Sequence, residues 1–422
     1  MTTLLAIGDM HLGRLPSSLP EELRPRAATL GPETAWMRSV REAINRKVDA
    51  VVLAGDLVEQ ARDFFVAYGQ LKAGLDKLAA AGIKTFAVAG NHDVYVLPRL
   101  AAELEQLELL GADGRWETVE IGKKKNTIEL IGWSFPQAEV RHSPLDSFPQ
   151  SRLKQVRIGL LHCDRDQNQS RHAPVASADL EAAQVSAWLL GHIHQPDDLT
   201  GERPIGYLGS VTALRASETG DRGPWLISTN KGKVSAEQLV LAPLRYETHR
   251  LDLSSLQRAE ALNARILECA RKTLSQMPES ASKPDALGLR LTLEGRTRIA
   301  AEIRDAAIAL QADARPWTEE GVQCFIDKIE LALEPEIDLD QLAEQNDPCG
   351  LLAQRVLALR DERSEEHERL IELARARLMP LTDAREFKGL EGELSNEDLA
   401  HQLERAALLA LNALLDQRGS AT

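Results

Sequence analysis

The stretch Lys84–Asp93, KTFAVAGNHD, contains the pattern that organises the first half of the chain. A short apolar run stops at Gly90, and an amide, an imidazole and a carboxylate follow directly. The run has the length of a strand and no helical period, which predicts a strand buried on both faces. Ligands of open α/β sheets bind beyond the carboxyl ends of such strands, so the stretch predicts a site at that edge.

Four other apolar runs in the first half of the chain end in the same way. They lead to Gly8-Asp9-Met10-His11, to Gly55-Asp56, to His162 and to Gly191-His192-Ile193-His194. One residue separates the two polar side chains of Asp9-x-His11 and of His192-x-His194, so each pair can reach one cation. Because a carboxylate has two oxygens, Asp56 can bridge two cations. Five such strand ends together predict a single metal site.

The chemistry of the donors narrows the choice of metal. The candidate ligands are oxygen and nitrogen donors without a thiolate, namely Asp9, His11, Asp56, Asn91, His162, His192 and His194. Such a set suits Mn²⁺, Fe²⁺ or Zn²⁺ and disfavours an iron–sulfur cluster or a cysteine-rich zinc site. Two cations about 3.5–4 Å apart can hold the attacking hydroxide and a phosphate for in-line displacement. His92 is then predicted to stabilise the phosphate or protonate the leaving oxygen, with Asp93 fixing its tautomer.

Length and composition limit the class of protein. A chain of 422 residues predicts two or three domains. The net charge of −14 argues against an unspecific nucleic-acid binder. Four cysteines without a CxxC pair suit a reducing cytoplasm, and the first residues read as a strand rather than a signal peptide. No apolar run reaches the roughly 18 residues of a membrane span.

The order of the predicted elements indicates an α/β (α+β) fold. Alternating strands and helices, the third helix over Pro98–Leu110, predict a parallel sheet with crossover helices. A hairpin of Trp116–Ile121 and Thr127–Gly132 and the strands that end at His162 and His194 predict a second sheet packed against the first. Residues 246–335 read as a small α/β domain. From residue 336 the chain is predicted helical, with one helix over Leu351–Leu378 stopped by Pro380 and another over Asn396–Leu415.

The motifs GDMHLG, GDLV, GNHD, GLLHC and GHIH, in this order, resemble the calcineurin-like metallophosphoesterase superfamily over roughly residues 1–245. Within it, the chain is similar to the SbcD/YhaO-like group of DNA double-strand-break repair nucleases. Three further stretches carry this second resemblance: His11-Leu12-Gly13, His172-Ala173-Pro174, and Tyr207-x-Gly209-Ser210 followed by Glu218-Thr219-Gly220. His172 otherwise lies outside the motifs and is predicted to be a packed or surface residue.

The resemblance implies a two-sheet metallophosphoesterase (nuclease) sandwich flanked by helices at 1–245, an α/β capping domain at 246–335 and a helical ATPase-binding region at 336–422. Asp56 would bridge two divalent cations, with Mn²⁺ expected. The first cation would be held by Asp9, His11, Asp56 and His194, and the second by Asp56, Asn91, His162 and His192. His92 would act on the phosphate.

The implied activity is that of a DNA exonuclease and endonuclease hydrolysing phosphodiester bonds in double-strand-break repair. The implied partners are DNA ends, an SbcC-like coiled-coil ATPase and a second copy of the chain. The sequence has no G-x-x-x-x-G-K-[ST] loop, so ATP dependence would come from another polypeptide. One position departs from the group: relatives often carry His or Asp three residues after the bridging Asp, where this chain has Glu59. A carboxylate protonates a leaving oxygen at neutral pH only if its pKa is raised.

Other readings of the site and of the basic residues stay open. The chain could be a DNA-end-binding scaffold with weak cleavage, or a phosphodiesterase of small molecules or cyclic nucleotides, or a protein phosphatase. Arginines beside the motifs are the candidate DNA contacts: Arg14, Arg62, Arg165, Arg171 and Arg215. The run Lys123–Lys125 is predicted to be a solvated turn, with a phosphate contact as the alternative.

Overall fold

A computed structural model describes residues 1–122, 127–149, 155–278, 282–313, 315–336, 338–382 and 395–419. The chain divides into two compact units, each described by itself. The first unit comprises Met1–Arg250, Ala264–Thr292 and Leu310–Glu330, and the second Leu251–Asn263, Leu293–Ala309 and Leu331–Thr422. The predicted boundaries at 245 and 335 stay predictions. Among the described residues, no helix is both long and apolar enough to cross a membrane.

The strands are β1 Thr2–Ile7, β2 Ala50–Leu53, β3 Lys84–Ala87, β4 Leu107–Leu109, β5 Glu117–Ile121, β6 Ile128–Trp133, β7 Arg157–His162, β8 Asp164–Arg165, β9 Pro174–Val175, β10 Ala187–Gly191, β11 Ile205–Tyr207, β12 Trp225–Asn230, β13 Lys233–Gln238, β14 Leu244–Asp252, β15 Ala286–Thr297, β16 Trp317–Glu319 and β17 Val322–Pro335. The α-helices are α1 Pro32–Arg46, α2 Phe64–Ala80, α3 Leu97–Glu103, α4 Ser177–Ala182, α5 Leu262–Ser275, α6 Ala300–Asp313, α7 Leu339–Ala343, α8 Pro348–Arg360, α9 Glu365–Thr382 and α10 Asn396–Gly419.

Two sheets form the first half of the chain, as predicted. The first has the order β13-β12-β1-β2-β3-β4, in which β1 to β4 are parallel. The second has the order β11-β10-β7-β6-β5, in which β5 and β6 are antiparallel and the other pairs parallel. The predicted hairpin is therefore confirmed in its strands. The predicted helix over Pro98–Leu110 is wrong in its second half, because α3 ends at Glu103 and Leu107–Leu109 pairs with β3.

The first sheet is buried on both faces, because successive side chains of a strand point to opposite sides. In β1, Leu5 and Ile7 join a core with helices α1 and α2, including Trp36 of α1. The alternate residues Leu4 and Ala6 join a second core with strands of the other sheet. The two sheets therefore form a sandwich with helices on the outside, which confirms the predicted fold class.

Beyond residue 243 a further sheet has the order β14-β15-β17-β16. The predicted single helix over Leu351–Leu378 is wrong, since α8 ends at Arg360 and α9 begins at Glu365. The side chains of Asp361 and Ser364 accept backbone N–H groups of Arg363 and His367, and these local bonds compete with a continuous helix. Helix α9 also runs past position 380 to Thr382. The other predicted helix is confirmed as α10 and extends to Gly419.

Candidate metal centre

The polar strand ends of the two sheets meet at one edge of the sandwich. In the first sheet, strands β1, β2 and β3 end two to four residues before Asp9, Asp56 and Asn91. In the second sheet, strand β7 ends at His162 and strand β10 ends at Gly191. Parallel strands align their carboxyl ends, which is why residues distant in sequence become neighbours there. The contacts below link all seven predicted ligand side chains; their role as ligands stays a prediction.

The backbone at this edge is strained at the predicted ligands. The φ angle is +37° at Asp9, +50° at His11, +50° at Asp56 and +109° at His192. Residues other than glycine rarely adopt positive φ, because each one costs about 1–3 kcal/mol and persists only where the surrounding structure enforces it. Residues of this kind cluster at functional sites. Four of the ten non-glycine residues with positive φ in the described part of the chain are predicted ligands, so such backbone is concentrated at this edge.

Glycine is required where the ligand loops approach most closely. A Cβ atom on Gly90 would lie 2.2 Å from Oδ1 of Asp56, and one on Gly191 would lie 2.0 Å from the carbonyl oxygen of Ala54. Both positions therefore let a ligand-bearing loop pack directly on another strand end.

A first group of donors is formed by Asp9, His11 and His194, whose ligand atoms lie within 4.8 Å of one another. The Nε2 atoms of His11 and His194 are 3.0 Å apart, although the residues are 183 positions apart in the chain. Oδ1 of the fully buried Asp9 accepts the backbone N–H of His192 at 2.9 Å. This hydrogen bond joins the loops after β1 and β10.

A second group is formed by Asp56, His162 and His192, again within 4.8 Å. Nε2 of His162 lies 3.1 Å from Oδ1 of Asn91 and 3.3 Å from Oδ2 of Asp56. The rings of His162 and His192 contact edge to face at a centroid distance of 5.2 Å.

The two groups fit divalent cations. Donors about 2.1 Å from one cation lie about 3.0 Å apart in octahedral and about 3.4 Å apart in tetrahedral geometry. The three donor–donor distances of 3.0, 3.1 and 3.3 Å lie in this range. The donor set contains nitrogen and oxygen and no sulfur, which suits borderline and hard divalent metals.

Charges at this edge perturb the pKa values of its members. Burial alone would lower the pKa of His162, but the charge of Asp56 and a hydrogen bond to it raise this pKa to about 9. Burial opposes ionisation of Asp56 as well, yet the histidines around it hold its pKa well below the ordinary range. Burial and the charge of His162 lower the pKa of His192 to about 3. The site therefore favours an ionised Asp56 and a neutral His192, the forms that bind cations.

The other ring nitrogens of three predicted ligands lie beside oxygen atoms, and those of His162 and His194 make hydrogen bonds to them. Nδ1 of His162 lies 3.0 Å from the carbonyl oxygen of Ala54, and Nδ1 of His194 lies 2.8 Å from Oε1 of Glu218. Nδ1 of His11 lies 2.8 Å from Oε2 of Glu59. In each case Nε2 is left facing the donor group, the usual arrangement around a protein-bound metal.

Sequence reasoning missed the residues that support the loop after β10. Glu218 lies in a stretch that carried the resemblance, but no role was predicted for it. Its Oε2 also accepts the backbone N–H of Leu214 at 2.7 Å. The fully buried Arg222 donates to the carbonyl oxygens of His194 and Glu218 and to the hydroxyl of Ser210. An arginine buried in a loop gives no periodic signal, so the sequence offered nothing to find it.

His92 and Asp93 occupy different environments. His92 is exposed beside the donors, with its ring 5.2 Å from that of His11. Asp93 is fully buried, and its oxygens accept the backbone N–H groups of Leu57 and Gly90 at 2.6 and 2.8 Å. The prediction that Asp93 fixes the tautomer of His92 is therefore wrong, because Nδ1 of His92 contacts the carbonyl oxygen of Glu59 at 3.1 Å. Asp93 instead ties together the loops after β2 and β3.

A further cluster adjoins the second group. Asp164, His172 and His192 present ligand atoms within 4.8 Å, and the rings of His172 and His192 are 5.1 Å apart. Nε2 of His192 lies 3.8 Å from Oδ2 of Asp164. His172 thus lies beside the site and is partly buried. The sequence predicted a packed or surface residue there, with the family-like stretch next to it as the reason for a partial exception. The short strand pair β8–β9 places Asp164 beside Pro174 and so brings His172 there.

The predicted DNA-contacting arginines fall into two sets. Arg14, Arg165 and Arg171 form ion pairs with Glu59, Asp197 and Glu139, at 3.3, 3.0 and 3.2 Å. Arg62 and Arg215 are exposed, and no ion pair engages them within the described part of the chain. Contact with DNA stays a prediction for all five. The run Lys123–Lys125 lies outside the described residues.

Two family models match the chain. The model for the calcineurin-like phosphoesterase matches residues 2–196. The model for the middle domain of metallophosphoesterase YhaO matches residues 246–334.

Curated relatives include an uncharacterised metallophosphoesterase, YhaO, from Bacillus subtilis. It is 25% identical over 310 residues, which cover 69% of this chain and 72% of YhaO. The DNA double-strand break repair protein Mre11 of Haloferax volcanii is 28% identical over 282 residues, or 64% of this chain and 58% of that protein. Mre11 of Halobacterium salinarum is 28% identical over 246 residues, with coverages of 54% and 56%. The chain thus spans little more than half the length of these two Mre11 proteins.

Solved structures similar to this chain include a dimetal phosphatase from Danio rerio and the calcineurin-like phosphoesterase YfkN from Bacillus subtilis. The first has a TM-score of 0.36 at 14% identity and covers 56% of this chain and 95% of its own. The second has a TM-score of 0.36 at 11% identity and covers 56% and 90%.

Proposed function

Because the chain belongs to the calcineurin-like metallophosphoesterase superfamily and matches the YhaO middle domain, we propose that it is a two-cation phosphodiesterase that cleaves DNA in double-strand-break repair. The superfamily makes it a phosphoester hydrolase that uses divalent metals. The observation that carries the proposal is the pair of donor groups at one sheet edge, with the exposed His92 beside them. The DNA substrate is supported by the similarity to two Mre11 proteins, whose names place them in DNA repair.

Seven side chains of the chain would hold the two cations. Divalent cations, when bound, would activate a water molecule and neutralise charge on the phosphate. Asp9, His11, Asp56 and His194 would hold the first, and Asp56, Asn91, His162 and His192 the second. Mn²⁺ is the metal that the resemblance implies, and the mixed nitrogen and oxygen donors suit Mn²⁺, Fe²⁺ and Zn²⁺ alike.

Proton transfer to the leaving oxygen falls to His92. Its Nδ1 contacts the carbonyl oxygen of Glu59, so Nε2 is the nitrogen that can face a substrate, and Nε2 has a proton to give to the leaving oxygen only in the imidazolium form of His92. Glu59 itself is unsuited to this step, because its contact with His11 and the charge of Arg14 lower its pKa to about 2. An ionised carboxylate carries no proton to give. His92 is therefore the proposed catalytic residue, and Asp93 supports the loops instead.

The helical region 336–422 is the proposed binding region for an SbcC-like coiled-coil ATPase. An apolar groove of about 520 Å³ lies among α8, α9 and α10, and Leu373 on its wall is 57% exposed. Leu351 and Leu409 are also more than half exposed. Exposed apolar surface of this kind is typical of a site that binds a protein partner. A homodimer and a cytoplasmic location complete the proposal.

The first experiment incubates the full chain with Mn²⁺ on end-labelled duplex and single-stranded DNA, and in parallel on a cyclic nucleotide. Cleavage of DNA that falls by about 10²–10⁴-fold in His92→Ala supports the nuclease. Hydrolysis of the cyclic nucleotide alone would keep the two-cation chemistry and contradict the DNA substrate. Binding of DNA ends without cleavage, with or without an added coiled-coil ATPase, would favour the scaffold.

A further inference from the structure

Glu59 lies where the loops that carry two predicted ligands are joined. His11 donates its backbone N–H to the carbonyl of Asp56 at 2.9 Å, and Leu12 donates to Leu57 at 2.7 Å. Glu59 then donates its own N–H to the carbonyl of Leu12 at 3.1 Å. Because this short parallel pairing fixes the backbone on both sides, the position of Glu59 relative to His11 is set by main-chain hydrogen bonds.

The side chain and the main chain of Glu59 face different histidines. Its Oε2 lies 2.8 Å from Nδ1 of His11 and 3.3 Å from a guanidinium nitrogen of Arg14. Its carbonyl oxygen lies 3.1 Å from Nδ1 of His92. We propose that Glu59 is a positioning residue, which orients His11 through its carboxylate and His92 through its backbone carbonyl.

The consequence for His11 follows from imidazole chemistry. A neutral imidazole has one N–H and one lone pair, so an acceptor on Nδ1 leaves the lone pair on Nε2. Nε2 of His11 is the atom 3.0 Å from Nε2 of His194, at the first donor group. Glu59 thus selects the tautomer in which His11 can bind a cation.

Glu218 does the same for His194, the other histidine of the first group, at 2.8 Å. The second group differs, because His162 is oriented by the neutral carbonyl of Ala54 and the carboxylate of Asp164 is 3.8 Å from His192. Two carboxylates from outside the predicted ligand set therefore lie against the histidines of the first group. Among the described residues, no carboxylate from outside that set makes a hydrogen bond to His162 or His192. We expect loss of the Glu59 side chain to weaken binding of the first cation more than binding of the second.

The inference rests on the two-cation site proposed above and not on the DNA substrate, so its test contains no DNA. Mn²⁺ is titrated calorimetrically into the metal-free full chain, and the two binding steps are assigned with His194→Gln and Asn91→Ala. Glu59→Leu removes the acceptor. Glu59→Gln keeps an amide oxygen that can accept from Nδ1. Glu42→Leu removes a glutamate that pairs with Arg46 on α1 and serves as the control.

Glu59→Leu is expected to weaken the first step about 10–100-fold and to leave the second step within about threefold. Glu59→Gln is expected to stay within about threefold of the natural chain at both steps. ¹⁵N spectra of labelled histidines in the Zn²⁺-loaded protein are expected to show His11 protonated at Nδ1 in the natural chain and in Glu59→Gln.

Three results would overturn the proposal. Unchanged first-step affinity in Glu59→Leu would show that His11 needs no orienting partner. Equal loss in Glu59→Leu and Glu59→Gln would assign the effect to negative charge rather than to orientation. Equal loss at both steps in Glu59→Leu would indicate general disruption. These three results concern cation binding alone, so they can be interpreted even if the chain does not cleave DNA.

Discussion

The sheet edge with the donor groups and the helices α8–α10 differ in which kind of side chain they bury and which kind they expose. At the edge, ionisable side chains are buried, and Asp9 and His162 are fully inaccessible. In the helices, large apolar side chains are exposed, and Leu409 is 64% accessible. Burying a charged group costs free energy unless it is paired, whereas an exposed leucine costs much less. The edge is therefore built for ligands at the expense of stability, and the helices keep apolar surface available.

The largest expected effect is at the edge, from Gly90→Ala. The added Cβ would lie 2.2 Å from Oδ1 of Asp56 and displace the predicted bridging carboxylate. Cation affinity is expected to fall by at least about 100-fold, the upper end for loss of a supporting partner. Gly69→Ala in α2 is the matched control, because its Cβ meets no atom within 4 Å and helix propensity predicts a gain of about 0.5–1 kcal/mol. Mn²⁺ calorimetry and urea melts measure both; equal cation affinity in the two variants would contradict the close approach.

A second test uses two neighbours on α9. Ile371 is 3% exposed and packs with Leu359 and Leu399, whereas Leu373 is 57% exposed. Ile371→Ala is expected to destabilise the helical region by about 2–5 kcal/mol, because it removes buried methyl groups and leaves a cavity. Leu373→Ala is expected to change stability by less than about 0.5 kcal/mol. Urea unfolding followed by circular dichroism measures the change in the free energy of unfolding. Similar losses of stability in both variants would mean that Leu373 is packed in the helical region rather than exposed for a partner.

The third test concerns pH in the metal-free protein. The pKa of His162 is about 9 in the folded state against about 6.5 unfolded, so the folded state binds the proton more tightly. This group's contribution to stability is complete below pH 6.5 and is lost as the pH rises to 9, on the order of 3 kcal/mol. Urea melts in a chelator across this range are expected to show the loss. The same series on His162→Gln should be flatter, and an equal slope would assign the effect to other groups.

The smallest effects are expected from the exposed arginines. If Arg62 and Arg215 contact phosphates, Arg62→Ala and Arg215→Ala should each reduce the slope of log K against log salt for DNA by about 1. Arg171→Ala should change it less, because Arg171 already pairs with Glu139 at 3.2 Å. Fluorescence anisotropy with labelled DNA at several salt concentrations measures the slopes. Unchanged slopes for Arg62 and Arg215 would place the DNA path elsewhere.

The sequence predicted the sandwich and the meeting of the strand ends because both depend on local patterns. An apolar run that ends in Asp9-x-His11 predicts a strand, the position of its carboxyl end and the candidate metal ligands there from a few consecutive residues. The partners of the histidines could not be predicted in this way, since Glu218 reaches His194 from 24 positions away through loop geometry. The tautomer of His92 was assigned to its neighbour Asp93 for the same reason, because the carbonyl of Glu59 has no sequence signal. In the helices, the side-chain hydrogen bonds of Asp361 and Ser364 end the helix within the charged stretch Arg360–Arg369, where neither Pro nor Gly marks a break.

The separation of His11 from His194 also bears on how the protein is made. The two donors are 183 positions apart, a length that takes about 10–40 s to synthesise at about 5–20 residues per second. Throughout that interval Asp9 and His11 have left the ribosome's decoding centre without the partner that completes their group. The group proposed to hold the first cation therefore cannot be complete before residue 194 has been added to the chain.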